Sequence, residues 1–229
     1  MKKRIIRIAS LALVILGMVS CSDEQETALR PQDAKSIPMT FLVSHPGQAS
    51  RATETNFEKN DKIGLYVADA KAQLEIGGNL VNNETITYDG SKWAAARALY
   101  WDKGTYTAYA YYPYIENVSS ITDQSFSVAL DQRVAKTATS LGGYEASDLL
   151  FATSKNISAS ASPINLTFKH IMSKLKIRLV KGEDFEGEMP ATADVYIHNT
   201  VPTATVDLQA GVATRYVKGT RHTIVARQD

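Results

Sequence analysis

The sequence contains a single cysteine, Cys21, and only four histidines. One cysteine cannot form a disulfide within the chain. The histidines are scattered and do not have the short spacing of a metal-binding motif, so no structural zinc site is predicted. The glycine-rich phosphate-binding loop and the serine nucleophile elbow are missing as well. These absences predict a chain that is not an enzyme and that needs no cofactor.

Three weaker candidates for chemistry have simpler structural interpretations. Glu145 and Asp148 lie close in sequence, but two acids beside a loop are more often solvated than catalytic. His170 ends a predicted strand, where a histidine more often packs or caps than binds a ligand. Cys21 would need a neighbouring base to act as a nucleophile. The sequence therefore nominates no catalytic, cofactor-binding or metal-binding residue.

Acidic residues are missing from the first twenty positions, where Lys2, Lys3, Arg4 and Arg7 are the charged residues. The apolar run after them ends at residue 19 and is too short to span a bilayer, which takes about 20 residues. Its length is typical of a secretory signal. Without the four basic residues the chain carries 21 basic and 24 acidic residues. This balance predicts no nucleic-acid partner.

Residues 16–21, LGMVSC, resemble the cleavage region of a bacterial lipoprotein signal. The resemblance implies that residues 1–20 are a signal peptide and that Cys21 carries diacylglycerol and palmitate. Such acyl chains would tether the chain to the outer membrane without a spanning helix. An ordinary signal followed by an incidental cysteine is the alternative. Residues 21–35 begin with an acidic stretch that resembles a surface-export signal of Bacteroidota lipoproteins, and we expect them to form a flexible tether.

The rest of the chain is rich in β-branched residues and contains 11 tyrosines. Alternating apolar residues predict strands rather than helices. Residues 105–114 are apolar or aromatic on both faces, which predicts a central strand. Residues 172–181 alternate Leu or Ile with Lys or Arg, which predicts a half-exposed strand. We therefore expect an all-β fold, an antiparallel β-sandwich of the Greek-key or transthyretin-like type.

A domain boundary is predicted at residues 182–191, which are acidic and contain glycine and proline. The first sandwich would then cover residues 36–185. Residues 186–229 would be the start of a second β domain, because about 40 residues are too few for an independent sandwich. We expect this second domain to be truncated.

Four sequence strings resemble, in this order, the fimbrillins, the Mfa-like subunits of type V pili in Bacteroidota; they are YW at 100–101, YAYYPY at 109–114, DLLFA at 148–152 and LTFKHIMSKL at 166–175. Residues 57–66, FEKNDKIGLY, are similar to the start of that family's domain. The resemblance implies a lipidated precursor of a fimbrial subunit that supports cell adhesion. A protease specific for arginine would cut the precursor at the outer membrane, and strand exchange would join it to other pilus subunits. The mature form would lie in the fimbrium on the cell surface. Stalk, tip and anchor roles, the receptor and the donor strand stay open.

Residues 36–44 predict a short strand with one apolar row, formed by Ile37, Met39, Phe41 and Val43. From the residues alone this is the first strand of the sandwich. The fimbrillin resemblance implies a removable strand, followed by an arginine at which the precursor is cut.

Two arginines flank this strand. Arg30 precedes Pro31, which makes a poor bond for trypsin-like enzymes, and a cut there would leave the strand attached. Arg51 precedes Ala52 in a polar stretch just after the strand. The expected cleavage site is therefore Arg51–Ala52.

A second hypothesis is a surface lipoprotein that stays anchored and binds glycans or other ligands. It predicts an exposed aromatic platform that includes Trp93, Trp101 or Tyr114.

Overall fold

The computed structural model describes residues 37–46 and 56–228 of the 229-residue chain. The fold is all-β with mostly antiparallel pairing, as the sequence predicts. A three-residue 3-10 helix covers Glu145–Ser147. The strands of the described residues are β1 Phe41–Ser44, β2 Lys62–Asp69, β3 Val81–Tyr88, β4 Trp93–Ala95, β5 Thr105–Tyr112, β6 Gln124–Ser127, β7 Leu150–Ser158, β8 Ile164–Thr167, β9 Lys169–His170, β10 Tyr196–Thr200, β11 Thr203–Asp207, β12 Val212–Arg215 and β13 His222–Val225.

The main sheet has six strands in the order β4-β3-β2-β5-β7-β9. β5 lies inside this sheet and pairs in antiparallel fashion with both β2 and β7. Seven of its eight residues are buried. The prediction of a central strand covered on both faces is therefore confirmed, and the aromatic run of β5 is core rather than surface.

Two hydrophobic cores lie on opposite faces of the main sheet. Because neighbouring residues of a strand point to opposite faces, β2 sends Ile63 and Leu65 into the first core and Tyr66 into the second. β5 is divided in the same way, with Ala110 in the first core and Tyr111 in the second. Both faces of the sheet must therefore be covered by other parts of the chain.

A three-stranded sheet, β12-β11-β6, contributes to the second core. Val206 and Leu208 are fully buried there, together with Tyr66 and Phe151 of the main sheet. The backbone just before β12 approaches the main sheet closely. Gly211 has a positive φ of 66°, and a Cβ at this position would overlap the ring of Phe151 in β7.

The expected boundary before residue 186 is therefore not a boundary between cores. β11 pairs with β6 in antiparallel register, Val206 opposite Gln124. The backbone N–H of Leu208 also donates to the Ile121 carbonyl at 2.7 Å. The segment that was expected to open a second domain instead completes the hydrophobic core of the preceding residues.

A separate antiparallel pair, β10-β13, lies beside residues 130–132. The Val225 N–H donates to the Leu130 carbonyl at 2.8 Å, and the Gln132 N–H donates to the Val225 carbonyl at 3.0 Å. Arg133 adds a 3.1 Å ion pair to Asp194. These contacts join the end of the described chain to the loop after β6.

Residues 172–181 do not form the strand that their alternation predicts. Leu175, Ile177 and Leu179 are 67%, 43% and 53% exposed. The alternation gives this segment the ability to pair, but a strand also needs a neighbouring backbone that offers hydrogen bonds. The predicted half-buried strand is therefore wrong for the described fold, and an apolar row is left facing solvent.

Candidate functional site

β1 runs parallel to β8 and pairs with it over its whole length. Phe41 lies opposite Ile164, and Val43 lies opposite Leu166. The Ile164 N–H donates to the Thr40 carbonyl at 2.8 Å. Further along, the Phe168 N–H donates to the Ser44 carbonyl at 3.0 Å. One edge of the first strand is therefore held by backbone hydrogen bonds to β8.

The residues just before β1 are held on their other side by residues 99–101. The Met39 N–H donates to the Leu99 carbonyl at 2.8 Å, and the Trp101 N–H donates to the Ile37 carbonyl at 3.0 Å. Pro38 and Tyr100 form an antiparallel bridge here. Residues 37–44 therefore fill a groove with two backbone walls, which we call the first-strand groove.

The side chains of this segment alternate between the first core and solvent. Met39 is 7% exposed and belongs to the first core, whereas Leu42 on the opposite face is 56% exposed. The remaining inward side chains are partly buried and pack against the same core; they are Ile37, Phe41 and Val43. The apolar row expected from the sequence is therefore present.

The floor of the first-strand groove is apolar. Leu99 is buried, and Trp101, Ile164 and Leu166 are almost fully so. Burying an aliphatic or aromatic side chain stabilises a fold by about 1.5–3 kcal/mol, and the half-buried members of the row fall at the low end. A groove without its strand would expose this floor and leave two rows of backbone groups without partners.

The end of the first strand is fixed by an aromatic cluster. His45 packs edge-on against Phe57, with ring centroids 4.9 Å apart. Phe57 in turn lies 5.0 Å from Trp93, 5.5 Å from Tyr112 and 5.6 Å from Phe168. His45 and Phe57 stand on either side of the segment that contains Arg51, so the two ends of that segment meet.

His170 and Asp148 form a hydrogen-bonded pair beside this cluster. His170 Nδ1 lies 2.7 Å from Asp148 Oδ1, and the His170 ring is 6.0 Å from that of His45. Glu145 is bound elsewhere, at 3.2 Å from Arg227. Glu145 and Asp148 therefore have different partners. His170 packs beside His45, as expected for a histidine at a strand end, and its contact with Asp148 was not predicted.

A buried carboxylate sits at the start of β2. Asp61 is 4% exposed, accepts the Glu58 N–H at 2.8 Å and lies 2.6 Å from Lys136 Nζ. Lys136 also reaches Glu58 at 3.0 Å. Burial raises the pKa of the nearby Tyr112 phenol, and the negative charge of Asp61 raises it further. This network holds the loop before β2 in place and contains no free nucleophile.

The tryptophans of the glycan hypothesis are not on the surface. Trp101 is fully buried and Trp93 is 9% exposed. Trp93 stacks on Tyr88 at 5.2 Å, and Trp101 lies 5.6 Å from Tyr106. Tyr114 is half-buried. The expected exposed platform is therefore wrong for both tryptophans, because they fill the first core.

Residues 50–228 match the model of the family described as fimbrillin-like. The chain belongs to the fimbrillin-like family. A Bacteroides ovatus protein described as a fimbrium tip subunit, Fim1C, is 30% identical over 129 residues, which are 52% of this chain and 23% of that protein. The chain thus spans about a quarter of the length of this relative.

Two crystal structures have the same fold as this fimbrillin-like chain. One is described as a cell adhesion protein from Bacteroides uniformis, with a TM-score of 0.55 and 19% identity over 84% of this chain and 70% of that one. The other is described as a cell adhesion protein from Bacteroides ovatus, with a TM-score of 0.54 and 16% identity over 84% of this chain and 72% of that one. At these identities the likeness concerns the fold alone.

Several predicted site residues of the fimbrillin-like chain lie outside the described residues. They are Cys21 of the lipoprotein signal and the Arg51–Ala52 cleavage site. Within residues 37–46 and 56–228, no helix is long and apolar enough to cross a bilayer. The same residues contain no group of three His, Cys, Asp or Glu side chains that is arranged to hold a metal ion.

Sequence reasoning missed the walls of the first-strand groove. Nothing in residues 99–101 or in β8 marks them as neighbours of β1, because a period of two defines a face and not a partner. The contact of His45 with Phe57 was missed for the same reason. The strings YW at 100–101 and LTF at 166–168 carry part of the family resemblance, and both line the groove.

Proposed function

We propose that this chain is a structural subunit of a surface fimbria, and that residues 37–44 are a temporary strand that keeps its assembly groove closed. The observation that carries the proposal is the first-strand groove itself. Residues 37–44 are held by backbone hydrogen bonds on both edges, and one row of their side chains enters the first core. This is the arrangement by which an added strand binds a sheet, with backbone bonds giving affinity and alternate side chains giving specificity.

In this proposal the precursor reaches the outer membrane as a lipoprotein anchored through Cys21. A protease with arginine specificity cuts Arg51–Ala52 and separates the anchor and the first strand from the rest of the chain. A strand from another subunit then enters the groove, and the subunits form a fimbrium on the cell surface that supports adhesion. The free energy for the exchange is the difference between what the incoming strand and residues 37–44 each gain by covering the apolar floor beneath Met39 and its neighbours.

The contact of His45 with Phe57 gives cleavage a specific consequence. Because these residues meet on either side of the cut, severing Arg51–Ala52 leaves the strand bound by its own contacts. Cleavage alone therefore makes the strand replaceable rather than absent. Its departure requires a competing strand.

The experiment is to determine the N-terminal residue of the mature surface protein. We expect Ala52 in the wild type and in an Arg30→Ala variant, and Cys21 in an Arg51→Ala variant that stays anchored and is not assembled. A mature wild-type protein that still begins at Cys21, or assembly of Arg51→Ala at the wild-type level, would contradict the proposal.

A further inference from the structure

A polar pocket lies beside β2, on the face of the main sheet that carries the second core. Its volume is about 240 Å³, and it is lined by Tyr66, Ile76, Asn83 and residues 116–119. Of these, Tyr66 alone is fully buried, so it forms the floor. Tyr66 Oη has no hydrogen-bond partner among the described residues. Since buried polar groups are rarely left without partners, this hydroxyl marks the pocket as a site for a polar ligand.

A β-bulge in β3 shapes the wall of the pocket next to this hydroxyl. The register between β2 and β3 shifts here, so that residues 82–83 lie opposite the single residue Tyr66. Asn83 has a positive φ of 44°, a conformation that asparagine adopts more readily than most residues. Its side-chain N–H donates to the Ile115 carbonyl at 2.9 Å, and its Oδ1 accepts from the Tyr111 hydroxyl. The bulge therefore fastens the loop after β5 to the edge of the pocket, and bulges are frequent next to functional sites.

The loop that forms the outer wall, residues 116–119, is fixed at both of its ends. At one end the Asn83 side chain donates to the Glu116 carbonyl at 3.3 Å. At the other end the Ser119 N–H donates to the side-chain oxygen of the buried Gln124 at 2.8 Å. The side chains of Glu116 and Asn117 are exposed between these two points. A pocket with fixed walls binds its ligand without the cost of first becoming ordered.

The chemistry of the lining favours a neutral ligand that carries several hydroxyl groups. Tyr66, Asn117 and Ser119 have side chains that can donate as well as accept hydrogen bonds, as sugar hydroxyls do. Burial raises the pKa of Tyr66 to about 12, so this phenol keeps its proton and can donate at neutral pH. The carboxylate of Glu116 accepts hydroxyl hydrogens but repels an anion. The two aliphatic residues of the lining add apolar surface for the C–H groups of a sugar ring.

We propose that this pocket binds one neutral sugar unit of a glycan, with the Tyr66 hydroxyl as the contact at its floor. Pockets for drug-sized ligands begin at about 300 Å³, so a pocket of about 240 Å³ suits a single sugar ring. The site is separate from the first-strand groove, which lies against the first core on the opposite face of the main sheet. The inference rests on the proposed function only for its biological role, since it gives the adhesion of a fimbrial subunit a class of receptor.

The test measures the binding of sugars to the uncut chain by NMR titration. The neutral probes are the methyl glycosides of glucose, galactose, mannose, fucose and N-acetylglucosamine, and the methyl glycoside of sialic acid is the acidic probe. We expect at least one neutral glycoside to bind with a Kd in the millimolar range, as a ligand of about a dozen heavy atoms does. The acidic glycoside should bind more weakly than that sugar, because it meets the carboxylate of Glu116.

Two matched variants distinguish this pocket from other surfaces of the chain. Tyr66→Phe removes the floor hydroxyl and nothing else, and it should weaken the binding of the neutral sugar by about fivefold or more. Tyr88→Phe removes a phenol that packs against the first core instead, and it should bind the sugar like the wild type. Both variants should unfold at the wild-type urea concentration at pH 7, so that a loss of binding is not a loss of folding.

The outcomes separate this inference from the proposed function. If none of the neutral glycosides binds, the Tyr66 hydroxyl has only water as a partner, and the inference is overturned while the assembly proposal stands. Equal binding by Tyr66→Phe and the wild type would place the sugar elsewhere and would overturn it as well. A mature protein that still begins at Cys21 would contradict the proposed function without affecting the sugar titration, because the titration uses the uncut chain.

Discussion

At the scale of single residues, Lys136 neutralises the buried carboxylate of Asp61. Replacing Lys136 by Met removes the 2.6 Å cationic partner of the Asp61 carboxylate, which is 4% exposed. We expect this change to lower the free energy of unfolding by about 3 kcal/mol. Urea unfolding followed by tryptophan fluorescence measures it. Lys59→Met, at an exposed position of the same loop, should change the value by less than about 0.5 kcal/mol, and equal effects of the two variants would contradict the argument.

Gly64 of β2 has no room for a side chain. A Cβ at this position would overlap the ring of Tyr111, which is itself buried in the second core. We expect Gly64→Ala to destabilise the chain by about 1–3 kcal/mol, as overpacking does. Gly77→Ala is the control, because nothing lies within 4 Å of its Cβ. Thermal unfolding of both variants checks the prediction, which fails if Gly64→Ala is tolerated as well as the control.

Tyr66 makes stability depend on pH in alkaline solution. Burial raises the pKa of Tyr66 to about 12, whereas an exposed phenol ionises near pH 10. Because the folded state disfavours the phenolate, this contribution to stability is complete below about pH 10 and is lost as the pH rises to about 12. Tyr66 Oη has no hydrogen-bond partner among the described residues, so Tyr66→Phe should keep the stability at pH 7 and flatten the decline between pH 10 and 12. Urea titrations at pH 7, 10 and 11.5 compare the two chains, and identical pH profiles would refute the assignment.

At the scale of elements, β1 should be fixed mainly by Met39. Met39 is 7% exposed, and its truncation removes most of a buried side chain from the first core. We expect Met39→Ala to cost about 2–5 kcal/mol in the uncut chain. Leu42→Ala, on the solvent face of the same strand, should cost less than about 0.5 kcal/mol. Guanidinium unfolding distinguishes them, and a similar loss in both would mean that the inward row does not hold the strand.

Local patterns predict elements well where both faces of a strand are covered. The apolar and aromatic residues of β5 suffice to predict a central strand, and the fold places it inside the main sheet. The same reasoning fails for residues 172–181, whose alternation is equally regular. A strand needs a partner as well as a pattern, and the sequence does not state where the partner is. For this reason the inward apolar row of β1 can be predicted from the sequence, whereas its parallel pairing with β8 cannot.

At the scale of the whole molecule, β11 pairs with β6 and packs the C-terminal part of the described chain onto the second core, to which earlier strands also contribute. If the two cores unfold together, a charge placed at Val206, which is fully buried in the second core, should also unfold the first. We expect Val206→Asp to cost more than about 3 kcal/mol. The lower stability should appear as an earlier unfolding transition in the fluorescence of Trp93 and Trp101, which lie in the first core.

Val212→Asp is the control for this prediction, because Val212 is 51% exposed at the start of the neighbouring strand β12. It should leave the unfolding midpoint nearly unchanged. Two separate domains would give a different result, in which Val206→Asp alters circular dichroism but not the tryptophan transition.

The domain arrangement was the least predictable property. Residues 182–191 have the composition of a boundary, and they are exposed in the structure. The chain beyond them nevertheless returns to β6 and fills the second core through Val206 and Leu208. Composition indicates whether a segment is exposed to solvent, whereas domain membership depends on contacts between distant parts of the chain.

The pairing of Phe41 with Ile164 has a consequence for the growing polypeptide. A ribosome makes β1 early and β8 only after most of the main sheet, so the first strand has to wait without its partner. Contacts between such distant residues form slowly, because a long loop must close first. The groove is therefore incomplete, and its strand unbound, until β8 has been made and has folded. Under the proposed function, a strand from another chain could enter the groove during that interval, so early separation of neighbouring precursors would guard against premature assembly.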